Sequence, residues 1–391
     1  AYEAAGWTGF KSITEVFAQG DYNYEVLDYQ ALTIEITAYS GSETILSLPE
    51  TVTYEDRTYT VKGVAADVFK DKNLAQVILN PSLAAIGDQA FYSNPSLNRV
   101  LALMPTPFEL GEVFENKHNI DFFPPVNTKA AYEAAGWTNF LRSTETILDQ
   151  SILYIVTDAN TQTLETKDYL GTETSMTIPG TLNSGGVDYA VTHIGENSFF
   201  QKSLTSVTLS EGVLSVGENA FRENALTDIL LPETLTSLAA AAFYGNALQR
   251  ITLPSSLTSM GNLVFNNNEH LIEVSPKMTT PFVLGTAFDN KADIDLVVPP
   301  GTREAYEANR WTGFKNTIEN FIVDNVEYSI VNVVEQTVAT RAYLGTDTEL
   351  VFSATVTTPQ GVDFTIVHIG DNTFNSKGLT SITLPEGLTS I

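Results

Sequence analysis

The sequence has no cysteine, which excludes a disulfide framework and thiolate metal sites. Basic residues are scarce: 20 Lys and Arg stand against 47 Asp and Glu, for a formal net charge of −27. A surface of that sign repels phosphate backbones and anionic lipid headgroups, so no nucleic-acid partner is expected. No run approaches the roughly 20 apolar residues that a membrane helix needs, so this segment is not expected to insert into a membrane. The four histidines (His118, His193, His270 and His368) include no pair at metal-ligand spacing, and no nucleophile elbow is present. His193 and His368 occupy the same place before Ile-Gly in two repeats, which suits a structural or surface role. The acidic clusters from Glu115 and Asp289 lack the regular spacing of a calcium loop and read as solvated turns. No catalytic residue, cofactor or metal is therefore assigned. Apolar residues are not lacking: 43% of the chain is hydrophobic and 10% aromatic, enough to fill substantial cores.

One phrase occurs three times: AYEAAGWTGF from Ala1, AYEAAGWTNF from Ala131 and AYEANRWTGF from Ala305. The tyrosines Tyr2, Tyr132 and Tyr306 are 130 and 174 residues apart, and the difference of 44 is two units of 22. The shorter unit is visible directly, as in LTSVTLSEGVLSVGENAFRENA from Leu204 and LTDILLPETLTSLAAAAFYGNA from Leu226. Self-similarity at such a period is the mark of a repeat architecture. Within a unit, Leu204, Val207 and Leu209 alternate with polar residues as on a short strand, and Pro and Gly mark the turns. A second apolar pair and a Phe close the coil. One such coil cannot bury a core, but stacked coils can. The fold class expected is a mainly β repeat solenoid. Phe69, Phe91 and Phe114 should form one buried column, and Phe199, Phe221, Phe243, Phe265 and Phe288 another.

Three residues after each Phe stands Asn or Lys. Asn94, Asn224, Asn246 and Asn268 lie in inner coils, and Lys72, Lys202, Lys377, Lys117 and Lys291 in first or last coils. A buried amide needs backbone partners, and adjacent coils can supply them. An Asn ladder fully buried at Asn224 and Asn246 is expected, with exposed lysines at the module ends.

The modules are expected at 1–13 (the end of a preceding module), 14–142 (three Phe coils), 143–318 (five Phe coils) and 319–391 (the start of a third). Each opens with a β-rich segment read as a hairpin cap, and short junctions are expected between modules. The closing phrase is expected to form a short helical cap through Tyr132, Trp137 and Phe140, and through Tyr306, Trp311 and Phe314. Tyr132 and Ala135 share a face there, and Gly136 ends the helix before Trp137.

The units LTSVTLSEGVLSVGENAF and LTSITLPEGLTSI resemble the BspA-like class of leucine-rich repeat. VDYAVTHIGENSF and VDFTIVHIGDNTF resemble that family's first coil, and IDLVVPPGTREAYEANRWTGF resembles its array end. The resemblance implies a secreted or surface-attached bacterial protein associated with adhesion to proteins or cells. One departure is Asn after Phe, where members often carry Cys. A binding role then points to the strand face. Ser206, Asp228, Arg250 and Glu273 are expected in one column, and Thr208, Leu230, Thr252 and Ser275 in the next. No aromatic stands among them, and an extracellular protein or glycan is the expected ligand. The turn residues Tyr92 and Tyr244 are alternatives. The second reading is a structural spacer or filament segment of a large surface protein, whose partners are further modules of the same polypeptide or assembly.

Overall fold

The structure, a computed structural model, describes residues 15–359 and 361–391. The expected cap at 1–13 lies outside these residues. The described chain forms two compact units, residues 15–149 with 154–156, and residues 150–153 with 157–391.

The first unit opens with a sheet whose strands run in the order Val16–Gln19, Tyr22–Asp28, Thr33–Tyr39, Arg57–Val64 and Thr51–Tyr54. The expected hairpin is there, but it is half of the cap. Tyr22–Asp28 and Thr33–Tyr39 form one antiparallel pair, Thr51–Tyr54 and Arg57–Val64 form a second, and a parallel ladder stitches the two together. Tyr39 ends its strand with its ring folded over Gly41, where a Cβ would lie 2.3 Å from the hydroxyl oxygen. The same ring–glycine approach recurs at Tyr169 with Gly171 and at Tyr343 with Gly345.

Stacked coils follow. Ile45–Ser47, Gln76–Leu79, Arg99–Ala102, Asp121–Phe123 and Arg142–Ser143 pair in parallel, one strand to each turn of the chain. Leu74, Val77 and Leu79 are fully buried, but the expected alternation does not hold in this strand, because Gln76 and Ile78 are buried too. Phe69, Phe91 and Phe114 stack at 5.1 and 5.3 Å with ring planes within 14° of parallel. Tyr39 covers the first ring at 5.2 Å, and Trp137 lies 6.4 Å beyond the last.

In the second unit Thr163–Tyr169 lies parallel to Val187–Ile194, which also pairs antiparallel with Thr181–Ser184. Short strands at Ser215–Val216, Ser237–Leu238 and Ser259–Met260 continue from it, one per coil. The five phenylalanines from Phe199 to Phe288 form a continuous stack with centroid spacings of 5.0, 5.4, 5.7 and 5.3 Å. On the other face, Arg250–Leu253, Glu273–Pro276, Asp295–Val298 and Asn316–Val323 run in parallel. The last of these strands turns directly into the next cap by pairing antiparallel with Val326–Asn332. One strand thus belongs to both the five-coil array and the cap that follows. That cap repeats the earlier plan, with Thr337–Tyr343 parallel to Asp363–Ile369 and a hairpin to Thr355–Thr357.

Candidate functional site

The expected face is displayed as strand at Ser206–Leu209 and again at Arg250–Leu253. Ser206, Thr208, Asp228, Arg250 and Thr252 are exposed. The face is not continuous between those strands. Residues 226–231 form no strand, and a single bridge from Thr208 to Leu230 marks the register. Asp228 supplies the reason: its Oδ1 accepts the N–H of Ile229 at 2.9 Å, which diverts a backbone donor from the ladder. Leu230 is left 69% exposed in its column. Arg250 pairs in register with Glu273, and Thr252 with Ser275.

Glu273 is not an open member of the column. Arg250 Nη1 donates to its Oε2 at 2.5 Å, Arg341 Nη2 donates to the same oxygen, and Ser275 Oγ donates to Oε1 at 2.9 Å. The carboxylate side chain is consequently only 15% exposed, whereas the Arg250 side chain is 63% exposed. Nearby, Lys277 Nζ donates to Glu233 Oε1 at 2.6 Å, and Ser255 donates to Oε2 through N–H and hydroxyl. These donors, Lys277 first, hold the Glu233 carboxyl below the usual range.

The asparagines occupy one repeated station. Asn246 Nδ2 donates to Phe221 O at 3.0 Å and Phe243 O at 3.1 Å, and its Oδ1 accepts the N–H of Leu226 at 3.1 Å. Asn268 makes the same three bonds one coil on, to Phe243 O, Phe265 O and Leu248 N–H. Asn94 and Asn224 accept two N–H groups of the preceding coil instead of one. Asn94, Asn246 and Asn268 are buried, whereas Asn224 is half-buried, short of the full burial expected. Every inter-coil bond of these side chains runs to the preceding coil, not to both neighbours. A first coil has no preceding coil, hence Lys72, Lys202 and Lys377. The last coils need another reason. Leu226 and Leu248 follow their coil's Asn by two residues and rely on the next Asn. Leu97 and Leu271 follow by three, and each donates to its own Asn94 or Asn268 carbonyl at 3.0 Å. One inserted residue removes the need for another Asn, so Lys117 and Lys291 are tolerated.

The lysines are not uniformly exposed. Lys377 is exposed, but Lys72, Lys117, Lys202 and Lys291 are half-buried. Lys202 reaches Asp168 at 3.1 Å, Lys72 lies over the Tyr39 ring and Lys291 over Phe314. The Lys202 charge thus finds a carboxylate in the cap, and the Lys72 and Lys291 ammonium groups lie over aromatic rings of the caps, which leaves their stems half-buried.

The closing phrases build the same constellation twice. Helices Lys129–Ala134 and Arg303–Ala308 place Tyr132 and Tyr306 in the core, fully buried. The Tyr132 hydroxyl donates to Met104 O and the Tyr306 hydroxyl to Met278 O, each at 2.7 Å. Trp137 Nε1 donates to Phe108 O at 2.9 Å and Trp311 Nε1 to Phe282 O at 2.8 Å. Burial pushes both tyrosine hydroxyls well above their ordinary range. Phe140 stacks on Phe122 at 4.7 Å, and Phe314 meets Phe288 edge-on at 5.8 Å. Gly136 ends its helix at φ +85°, but Arg310 takes the same place in the second cap at φ +65°. The acceptors escaped the sequence reading, although their signal was present: MPTPF from Met104 recurs as MTTPF from Met278.

The acidic turns serve backbone groups. Glu115 accepts Ser93 N–H at 3.1 Å, and Asp289 accepts Asn267 N–H at 2.8 Å. No group of three His, Asp or Glu converges on a metal position among the described residues. His193 bonds to Thr192, and His368 to Thr389 and Ser390, at exposed positions. Tyr92 bonds to Glu112, and Tyr244 lies under Arg222 at 4.5 Å, so both turn aromatics already have partners. No described helix is long and apolar enough to cross a membrane.

No curated protein matches the sequence. Among solved structures, a leucine-rich repeat protein from Bacteroides capillosus is 30% identical, with 34% of this chain and 98% of that one covered at a TM-score of 0.31. The pneumococcal vaccine antigen PcpA is 14% identical, with 80% and 100% covered and a TM-score of 0.37. A leucine-rich cell surface protein from Faecalibacterium prausnitzii is 19% identical, with 97% and 79% covered and a TM-score of 0.24. The model of the BspA type leucine rich repeat region matches six copies across residues 27–122, 192–308 and 352–391. With most of its length in those matches, its coils stacked on a phenylalanine column and each coil adding a parallel strand, the chain belongs to the BspA-type leucine-rich repeat family.

Proposed function

We propose that this chain is a non-enzymatic segment of a bacterial cell-surface or secreted adhesin, acting through contacts with an extracellular protein or glycan. The observation that carries this reading is the charged and polar strand face around Arg250, held ready by Glu273 rather than disordered in solvent. Family membership and the strongly acidic surface support an external, binding role. The test is binding of the intact chain to an array of glycans and matrix proteins. Saturable binding that is lost on Arg250→Glu or Asp228→Lys supports the reading, and silence across the array sinks it.

A second reading, a structural spacer with no ligand of its own, is favoured by one observation. The two closing caps repeat the same two hydrogen bonds within 0.1 Å. Modules of that kind are interchangeable extension units. An array without hits, together with a stiff rod in small-angle scattering, selects this reading.

A further inference from the structure

The strand Asn316–Val323 changes partners midway. Its parallel ladder with Asp295–Val298 ends at the pair Val298–Glu319, and its antiparallel ladder begins at Asn320–Ser329. Val323 and Val326 flank a two-residue turn at Asp324 and Asn325, both at positive φ. In such a hairpin the flanking pair is hydrogen-bonded and the bonded pairs alternate. Phe321 therefore faces Tyr328 through its backbone, while Asn320 and Ile322 turn their backbone groups to the opposite edge. In the first module that edge is served: Val126 N–H donates to Thr146 O at 2.9 Å. The matching positions here are Pro300 and Asn320, and proline has no N–H to give.

This edge opens on a groove of about 460 Å³ whose wall is Pro299 and Pro300. Ile322 and Leu344 stand on its rim, 54% and 53% exposed. At its base Asn320, only 9% exposed, donates through Nδ2 to Glu327 Oε1 at 2.6 Å. The Asn320 Oδ1 is buried with no hydrogen-bond partner among the described residues. The other Glu327 oxygen is 3.9 Å from Arg341 Nε, too long for a hydrogen bond, and Arg341 gives its short contact to Glu273. Asn320 and Glu327 thus line one groove with an acceptor each that receives no hydrogen bond among the described residues, in a chain of net charge −27, and the complement they lack is a cation with several N–H groups. Phe321 borders the groove but is 4% exposed, so no aromatic face is offered for sugar stacking.

We propose that this edge is a strand-addition site for an extended peptide bearing lysine. The peptide main chain pairs with Ile322 N–H and Asn320 C=O. Its lysine stem crosses Ile322 and Pro299, and the ammonium bonds Glu327 and the Asn320 amide oxygen. This rests on the binding-module reading and gives it a place and a partner class.

Peptides selected from a random-sequence library on the intact chain provide the test, with Asn320→Leu and Ile322→Lys as variants. Ile322 is exposed, so its variant keeps the fold even if Asn320→Leu does not. The expected result is a lysine-rich pool whose affinity falls roughly tenfold or more in both variants, a loss of about 1.4 kcal/mol. Added peptide should also slow hydrogen exchange at the Ile322 amide. A pool without lysine, undiminished binding to Ile322→Lys, or no enrichment overturns the proposal. If the glycan and matrix-protein array still gives hits, the binding-module reading survives that failure, and silence in both experiments removes both.

Discussion

Replacing Asn246 by alanine tests the ladder. The N–H of Leu226 has the Asn246 Oδ1 as its partner and becomes an orphan inside the coil stack. An unsatisfied buried donor costs about 1–3 kcal/mol. The two carbonyls fare better. Phe221 O keeps the amide of Asn224, and Phe243 O keeps that of Asn268. Each loses one of two bonds, worth about 0.5–1.5 kcal/mol apiece. The total is roughly 2–6 kcal/mol, against under about 0.5 kcal/mol for an exposed control such as Thr227→Ala. Repeat arrays can unfold in stages, so a single denaturation midpoint is a poor readout. Amide hydrogen exchange is better: Leu226 should lose most of its protection, while Leu248, held by Asn268, should lose much less. Asn246→Asp adds a sign. It keeps the acceptor but turns a carboxylate toward two carbonyls, which raises its folded pKa above the unfolded value of about 3.9. Its stability should be highest below that value and fall as pH rises through the folded pKa. A cost under about 1 kcal/mol for Asn246→Ala with Leu226 still protected would refute the reasoning.

Further outcomes follow from the same contacts. Arg310→Gly should stabilise the second cap by about 0.5–1 kcal/mol, because Arg310 sits at φ +65° where the first cap has Gly136; a lower thermal midpoint would contradict this. Tyr132→Phe and Tyr306→Phe should cost about the same, roughly 1–2 kcal/mol each, because both hydroxyls donate to a methionine carbonyl at 2.7 Å, and unequal costs by urea unfolding would deny that the caps are equivalent. Burial pushes Tyr24 and Tyr328 up to about 12, so stability holds below the unfolded value of about 10 and declines as pH rises through 12. Tyrosinate absorbance should then rise in a cooperative step that coincides with unfolding, and smooth titration of all tyrosines near pH 10 would be the wrong result. Glu233, held low by Lys277, contributes stability above about pH 4.3 that is lost as pH falls through its folded pKa; being half exposed it supplies only about 0.2–1 kcal/mol, which Lys277→Ala should abolish in acid titrations of unfolding.

Most of the fold was legible because it is made of local pattern repeated at a fixed period. Leu204, Val207 and Leu209 state a strand with one buried face, and the Phe at constant register states the column. The asparagine station was legible as a position but not as a direction. Its bonds run backward along the stack, and that follows from the lengths Asn-x-Leu and Asn-x-x-Leu, a difference of one residue between Asn246–Leu248 and Asn94–Leu97. The lysines went astray for a related reason. A charge at the end of a column suggests solvent, but an ammonium can also sit over an aromatic ring of the cap, as at Lys72 and Lys291, with its stem half-buried.

The strand face shows where repetition stops informing. Asp228, Ser206 and Arg250 are equivalent by register, and an aspartate is a poor strand residue because its short side chain can capture a neighbouring N–H. That single substitution opens the ladder over residues 226–231, a consequence readable only by weighing the residue against its column. Glu273 fails differently. Arg341, which buries it, lies 68 residues away in a segment of different periodicity, and no local pattern joins them. Array geometry alone brings them together, because the strand at Asn316 is both the last rung of one solenoid and the first of the next cap. The Glu273 departure thus lies where one module becomes another, as do the orphaned Asn320 oxygen and the proline that strips its strand edge of a donor, whereas the Asp228 departure lies inside the array. Among the described residues Gln76 Nε2 and Asn266 Oδ1 are also buried without a partner, but they lie inside coils, whereas Asn320 borders a groove beside an open strand edge, and it is there that an outside partner has most to gain.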